Sequence, residues 1–217
     1  MFITFEGIEG CGKSTQAGLL IKFLRERGKE AVLTREPGGS RLGLDLRRIL
    51  LSMENQDLSE EAELFLYLAD RAQHVHSLII PSLMAGKVVI SDRFTDSTIA
   101  YQGYGRGIDT GFLDQLNNMA VKGILPDLTI LLDLPAEIGL KRAQSRNTQK
   151  NLTVSEGRFE SESLEFHQKI RQGYLDWAAR NKYRFLIVDA TGNIDTIFRS
   201  ITGRMEDFLA KSFEKKH

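Results

Sequence analysis

The sequence predicts an α/β fold, a doubly wound five-stranded parallel sheet flanked by helices, on three observations. Five short apolar runs recur along the 217 residues, helix-period segments separate them, and a glycine-rich loop joins the first run to the first helix. The runs are residues 2–6, 31–35, 87–91, 128–133 and 184–189. Each is rich in Val, Ile, Leu or Phe with little alternation, the pattern of parallel strands covered on both faces. After the first run, Ala17, Leu20, Ile21 and Leu24 fall on one helical face, and Gly28 supplies a stop. Near the other end Phe166, Ile170, Tyr174 and Trp177 repeat every three or four residues and read as core. Alternation of this kind places ligands beyond the carboxyl ends of the strands. The length suits one domain, assigned to residues 1–210. One stretch breaks the pattern: Arg146 through Gly157 is polar with no apolar period, and its flanking arginines mark a lid over about residues 143–160.

Composition narrows the partners. Lys plus Arg and Asp plus Glu both total 29, so the basic excess of a nucleic-acid binder is missing and no nucleic-acid partner is expected. No eighteen apolar residues run together, so no membrane span is expected. Cys11 is the sole cysteine, which rules out an intramolecular disulfide; it reads as a small filler in a tight loop. With no signal-peptide pattern at the start, the expected compartment is the cytoplasm.

The loop Gly7-Ile8-Glu9-Gly10-Cys11-Gly12-Lys13-Ser14 is a phosphate cradle, a P-loop. A chance match in a chain this long has a probability on the order of 1%, and the strand before it and helix after it are the context the motif requires. Glycines let the backbone wrap with its N–H groups inward, and the helix N-terminus adds partial positive charge. Residues 7–15, Thr15 included, are therefore the expected nucleotide contacts. Lys13 is expected on the β- and γ-phosphates and the Ser14 hydroxyl on Mg²⁺. A guanine-reading Asn-Lys-x-Asp is not found; the Asn-Lys here continues Asn181-Lys182-Tyr183-Arg184. A small-molecule kinase thus stands ahead of a nucleotide switch.

Arg35, Arg71, Arg93 and Arg106 are candidates to surround an anionic acceptor, since guanidinium forks suit phosphate oxygens. Arg35 and Arg93 lie at the carboxyl ends of apolar runs. Asp92, also at a strand end, suits Mg²⁺ through a bound water.

Together, Phe5-Glu6-Gly7-x-Glu9-Gly10, Arg35-Glu36-Pro37-Gly38-Gly39, Asp92-Arg93 and Ala100-Tyr101-Gln102-Gly103 resemble the bacterial thymidylate kinases, over about residues 1–205. The resemblance implies a P-loop nucleoside monophosphate kinase fold and transfer of the ATP γ-phosphoryl to dTMP, giving dTDP for dTTP synthesis. It assigns Arg35 and Arg93 to the acceptor phosphate, Tyr67 to stacking on thymine and Arg71 to the base. Thr98 and Gln102 match positions at the base edge. Tyr101 matches the position beside the sugar, and Glu9 the one near its 3′-hydroxyl. Family members without a basic residue in the P-loop, like this chain between Ile8 and Cys11, supply lid arginines to the transferring phosphoryl. Arg146 and Arg158 are the candidates here, with Arg142 over adenine and residues 189–193 as a second wall. The family also implies a homodimer, through a helix over about residues 58–77 and the helix following Asp92. The rival readings are a kinase for another nucleotide or nucleoside, and a nucleotide-dependent switch.

Overall fold

The computed structural model describes residues 1–214. Among these residues five parallel strands form one sheet, β1 (Phe2–Glu6), β2 (Ala31–Arg35), β3 (Val88–Asp92), β4 (Leu128–Asp133) and β5 (Phe185–Asp189). Their order is β2-β3-β1-β4-β5, with β1 central and buried along its whole length. The expected fold class holds, with the third strand one residue further on and the fifth starting one residue later. The expectation of cover on both faces fails at the edges. Leu33 of β2 and Ile187 of β5 are 41% and 42% exposed, because helices cover the middle of a twisted sheet and leave its rims to water.

The chain leaves β1 through the glycine-rich loop into α1 (Lys13–Glu26). Ala17, Leu20, Ile21 and Leu24 of α1 are buried against the sheet as their spacing requires. Gly28, at φ 72°, reverses the chain, and the Lys29 N–H caps the Leu24 carbonyl at 3.0 Å; a side chain would strain that left-handed turn. Beyond β2 come α2 (Arg41–Leu51) and α3 (Glu60–His74), each started by a serine that accepts a backbone N–H, Ser40 from Gly43 and Ser59 from Ala62. A π-helical stretch (Val75–Ile79) and α4 (Ile80–Met84) lead into β3.

After β3, α5 (Thr95–Thr98) widens into a second π-helical stretch (Ile99–Gly105), followed by α6 (Thr110–Val121) and β4. Then come α7 (Ala136–Gln149), α8 (Thr153–Glu156), α9 (Leu164–Arg180), β5 and α10 (Ile194–Glu214). In α9 three of the four residues read as core, Phe166, Ile170 and Tyr174, are buried, while Trp177 is half-buried at the edge of a neighbouring apolar cluster. The polar stretch from Arg146 to Gly157, marked as part of a lid, is built of the last turn of α7 and the short α8. Ala143 and Asn147 on its inner face are buried, too sparse a pattern to register as a helical period.

Candidate active site

Parallel register aligns the carboxyl ends of the strands, and chemistry gathers there. Arg35 pairs with Asp92 across β2 and β3, and Asp92 with Phe5 across β3 and β1. The glycine-rich loop begins immediately past this row. Gly7, Gly10 and Gly12 have φ of 136°, 70° and 100°, values that side chains rarely tolerate. At Gly10 a Cβ would also lie 2.1 Å from the Gly139 carbonyl, and at Gly139 one would lie 2.5 Å from the Glu9 carbonyl. Loop and α7 therefore touch backbone to backbone. Lys13, 8% exposed, donates from Nζ to the carbonyls of Gly7 (3.0 Å) and Ile8 (2.8 Å). The Ser14 hydroxyl donates to the Asp92 carboxylate. Two hard oxygen donors side by side beneath a phosphate cradle fit Mg²⁺, which needs one or two carboxylates once phosphates and water complete its octahedron. Among the described residues no trio of His, Cys, Asp or Glu forms an all-protein metal cage.

Facing the loop is a cleft lined by Glu9, Lys13, Arg35, Arg47, Tyr67, Arg71, Asp92, Arg93, Thr98, Tyr101, Gln102, Arg146 and Phe159. Most residues expected at the acceptor converge here. Arg93 is its centre. Nη2 donates to Glu9 Oε1 (2.9 Å) and to the Tyr101 hydroxyl (2.8 Å), while Nη1 reaches the Gly7 carbonyl, Ser97 Oγ and the Tyr174 hydroxyl, each at 3.1 Å. Its backbone is left-handed, φ 75°, a conformation that costs on the order of 1–3 kcal/mol for a side-chain-bearing residue and that surrounding structure must hold. Glu6 does much of that holding. Buried at the end of β1, it accepts from the Phe94 N–H (2.7 Å), the Ser97 hydroxyl (2.6 Å) and the Tyr174 hydroxyl (2.9 Å).

Glu6 and Glu9, three residues apart, titrate in opposite directions. Burial, reinforced by Asp96, pushes the Glu6 carboxyl from 4.5 up to about 7. Burial pushes Glu9 up as well, but the His167 hydrogen bond, Arg93 and Lys13 outweigh it and hold Glu9 well below the usual carboxylate range. Tyr101 donates its hydroxyl to Glu9, and His167 of α9 places Nδ1 3.3 Å from the other carboxylate oxygen.

Arg71 is almost fully buried. It donates from Nε to Glu36 (2.8 Å), from Nη1 to Thr98 Oγ1 and Asn117 Oδ1 (both 2.7 Å), and from Nη2 to the Phe94 carbonyl (3.0 Å). Of its five N–H groups, one on Nη2 is left for a ligand. Tyr67 leans on Phe159 with ring centroids 6.4 Å apart, and Phe159 meets Tyr101 edge-on at 5.4 Å.

Two arginine expectations need correction. Arg158, expected on the transferring phosphoryl, is 4% exposed and turned inward, with Nη2 2.7 Å from Glu63 and Nε donating to the Leu50 carbonyl. Arg106, a candidate for the acceptor anion, is taken up by Glu63 (3.2 Å) and Glu162 (2.6 Å). A buried carboxylate such as Glu63 demands cations, and these two meet the demand. Arg146 does line the cleft, held by Glu160 Oε1 at 2.9 Å and Asn147. Arg142 reaches the Ala190 carbonyl at 3.4 Å, so α7 and the loop after β5 adjoin.

Sequence reasoning missed Arg47, whose guanidinium grips Glu156 of α8 at 3.0 and 3.1 Å and lines the cleft. On an amphipathic helix it reads as one more surface charge. It also missed Ser97 and His167. Glu6 carried a signal that could have been used, a carboxylate ending an otherwise apolar central strand.

The geometry defines a class of protein: a P-loop phosphotransferase whose cradle opens onto an arginine-lined, aromatic-walled acceptor cleft. Comparison with known proteins narrows it. The thymidylate kinase family model matches residues 5–201, and the chain belongs to that family. It is 57% identical to the thymidylate kinase of Maridesulfovibrio salexigens over 213 residues, 98% of each chain. With the thymidylate kinase of Oleidesulfovibrio alaskensis identity is 58% over 207 residues, covering 95% of this chain and 98% of the other. The crystal structure of thymidylate kinase from Ehrlichia chaffeensis superposes with a TM-score of 0.75 at 36% identity, covering 95% and 98% of the two chains. Among the described residues no helix is long and apolar enough to cross a membrane.

Proposed function

We propose that this chain is an ATP-dependent dTMP kinase, transferring the ATP γ-phosphoryl to dTMP to give dTDP and ADP, with the following division of labour. The loop amides of residues 7–15 and Lys13 bind the donor phosphates, and Arg142 with the loop after β5 flanks adenine. Ser14 and Asp92 are the residues that would hold Mg²⁺, which would supply positive charge to offset that of the phosphates. Arg35 and Arg93 hold the acceptor phosphate, whose anionic oxygen is itself the nucleophile, so alignment and charge neutralisation carry the reaction. Tyr67 faces the thymine ring, Arg71, Thr98 and Gln102 its edge, and Tyr101 and Glu9 the sugar. Tyr101 bonded to an ionised Glu9 supports that last assignment, because the pair offers a hydroxyl-accepting carboxylate beside a ring that leaves little room.

The observation that carries this reading is Arg93, held in a strained backbone and bonded at once to the P-loop carbonyl of Gly7 and to Glu9 and Tyr101. One side chain joins donor loop to acceptor cleft. For the charge on the transferring group the arrangement favours Arg146 over Arg158, since only Arg146 lines the cleft; residues 143–160 act as the lid that brings it in. The site of action is the cytoplasm.

A homodimer is supported by exposed apolar residues on two adjoining helices, Phe65 (60%) of α3 and Phe112 and Met119 (52% and 74%) of α6. The segment directly after Asp92, expected to share that interface, is mostly buried within its own chain. Sedimentation of wild type against Phe65→Glu tests this: a dimer that becomes a monomer supports it.

The substrate assignment is tested by turnover with ATP and dTMP, dUMP, UMP, CMP or thymidine. dTMP-dependent ADP release matched by dTDP is the expected result. Turnover that prefers thymidine or a ribonucleotide, or ADP release indifferent to any acceptor, sinks it.

A further inference from the structure

One buried carboxylate at the base end of the cleft has no part in the assignments above. Glu63, in the first turn of α3, is 1% exposed. It accepts from Gln102 Nε2 at 2.8 Å and from Arg106 Nε and Nη2 at 3.4 and 3.2 Å, and pairs with Arg158 Nη2 at 2.7 Å. Burial pushes its carboxyl up, but Arg106 and Arg158 more than offset this and hold it below its ordinary range, so it is ionised. An ionised carboxylate only accepts hydrogen bonds. Of the two ends of the Gln102 amide, only the NH₂ end can therefore face Glu63; the flipped amide would set its oxygen against the carboxylate oxygen Oε1. An amide orientation is assigned from such a network, and here the network allows one. The side-chain carbonyl Oε1 of Gln102 is left toward the cleft that Gln102 lines, and among the described residues it takes no hydrogen bond from the protein.

We propose that Glu63 is a positioning residue that sets the pyrimidine selectivity of the acceptor site, by locking the Gln102 amide with its carbonyl toward the base. Thymine and uracil carry an N–H at N3 and can donate to that carbonyl. Cytosine presents a lone pair at N3, which the locked carbonyl repels. The inference rests on Gln102 meeting the base edge and adds what fixes the polarity of that contact.

The test is kcat/KM for dTMP, dUMP and dCMP in wild type, Glu63→Gln and Gln102→Leu. A glutamine at position 63 can donate or accept, so it releases the lock. The dTMP-to-dCMP ratio is expected to fall about tenfold or more, while the dTMP-to-dUMP ratio stays near wild type. A merely structural Glu63 would lower all three substrates together and leave both ratios intact, which overturns the proposal. The Gln102→Leu arm separates the two layers. If that variant leaves the dTMP-to-dCMP ratio unchanged, Gln102 does not read the base and the underlying assignment fails. If it collapses the ratio and Glu63→Gln does not, the assignment stands and the lock is wrong. Should Glu63→Gln fail to fold, with Arg106 and Arg158 losing a counter-ion, Glu63→Asp keeps the charge and withdraws the carboxylate by about one C–C bond length, about 1.5 Å. An unchanged dTMP-to-dCMP ratio in Glu63→Asp likewise overturns the proposal.

Discussion

The donor and acceptor halves of the site are built from different materials. On the donor side the ligand-facing groups are mostly backbone: a loop of glycines at positive φ, closed by Lys13 and pressed against α7. On the acceptor side they are side chains, delivered from the end of β2, α3, the turn after β3, α5 and the π-helical stretch, and braced through Arg93, Glu9, Tyr101 and the buried Glu6 of β1. A backbone site depends on a few residues in a row, whereas a side-chain site depends on many residues far apart. The two halves should therefore break in different ways.

The largest expected effect is on the acceptor side. Arg93→Ala removes the residue that joins the halves and should lower kcat/KM for dTMP by about 10²–10³, with the KM for ATP within about threefold of wild type, as steady-state kinetics would read. Near-normal turnover would show that the arginine only supports the fold. On the donor side the matching break is steric. Gly10→Ala meets the Gly139 carbonyl at 2.1 Å from a residue at φ 70° and should cost on the order of 3 kcal/mol of stability, seen as a lowered denaturant midpoint. If the midpoint is unchanged, the two backbones do not touch.

A third prediction separates Glu6 from Glu9 by pH. Folded Glu6 titrates near 7 rather than 4.5, so between those values the folded state holds a proton that the unfolded chain has lost. Its contribution is complete below pH 4.5 and falls as pH rises through about 7. Asp70, pushed up by burial to about 6, adds in the same sense. Glu6→Gln should flatten the decline between pH 5 and 7 by about 2 kcal/mol, measured by urea unfolding across that range. Glu9, held low, contributes the opposite slope, lost as pH falls below 4.5. An unaltered profile in Glu6→Gln would place the titration elsewhere.

The smallest effects concern the lid. Arg146→Ala should lower turnover about tenfold, the worth of one charge-assisted contact. Arg158→Ala should leave turnover closer to wild type and lower thermal stability, because it strips a counter-ion from Glu63. Near-wild-type turnover in both variants would mean that the neutral P-loop is not compensated from the lid at all.

The same contrast explains what was legible in the sequence. The strands were readable because buried parallel strands are continuous apolar runs, and the cradle because its glycines and lysine stand at fixed intervals. The cover of β2 and β5 was not readable, since edge position depends on strand order rather than on composition. In the acceptor half, the resemblance marked Arg35, Tyr67, Arg71, Arg93, Thr98, Tyr101 and Gln102, and all line one cleft. Its supporting layer stayed hidden. Glu6, Ser97 and His167 act through partners 70 or more residues away in sequence (Arg93 for Glu6, Tyr174 for Ser97, Glu9 for His167), and no local spacing announces such pairs. Arg158 shows the opposite error. The family resemblance set it on the transferring phosphoryl, and only the folded chain brings Glu63 beneath it.

The Gly10–Gly139 contact has a mechanical consequence. Two backbones in direct touch form a rivet, with no side chain between them to act as a bearing. The proposed donor loop and the stretch of α7 that carries Gly139 and Arg142 are thereby one solid jaw. The opposing jaw, α3 with the π-helical stretch, lines the proposed acceptor cleft, with α9 braced behind it. In-line transfer then becomes the fit of two stiff parts that bite together, with the give of the machine confined to whatever lies beyond the rivet.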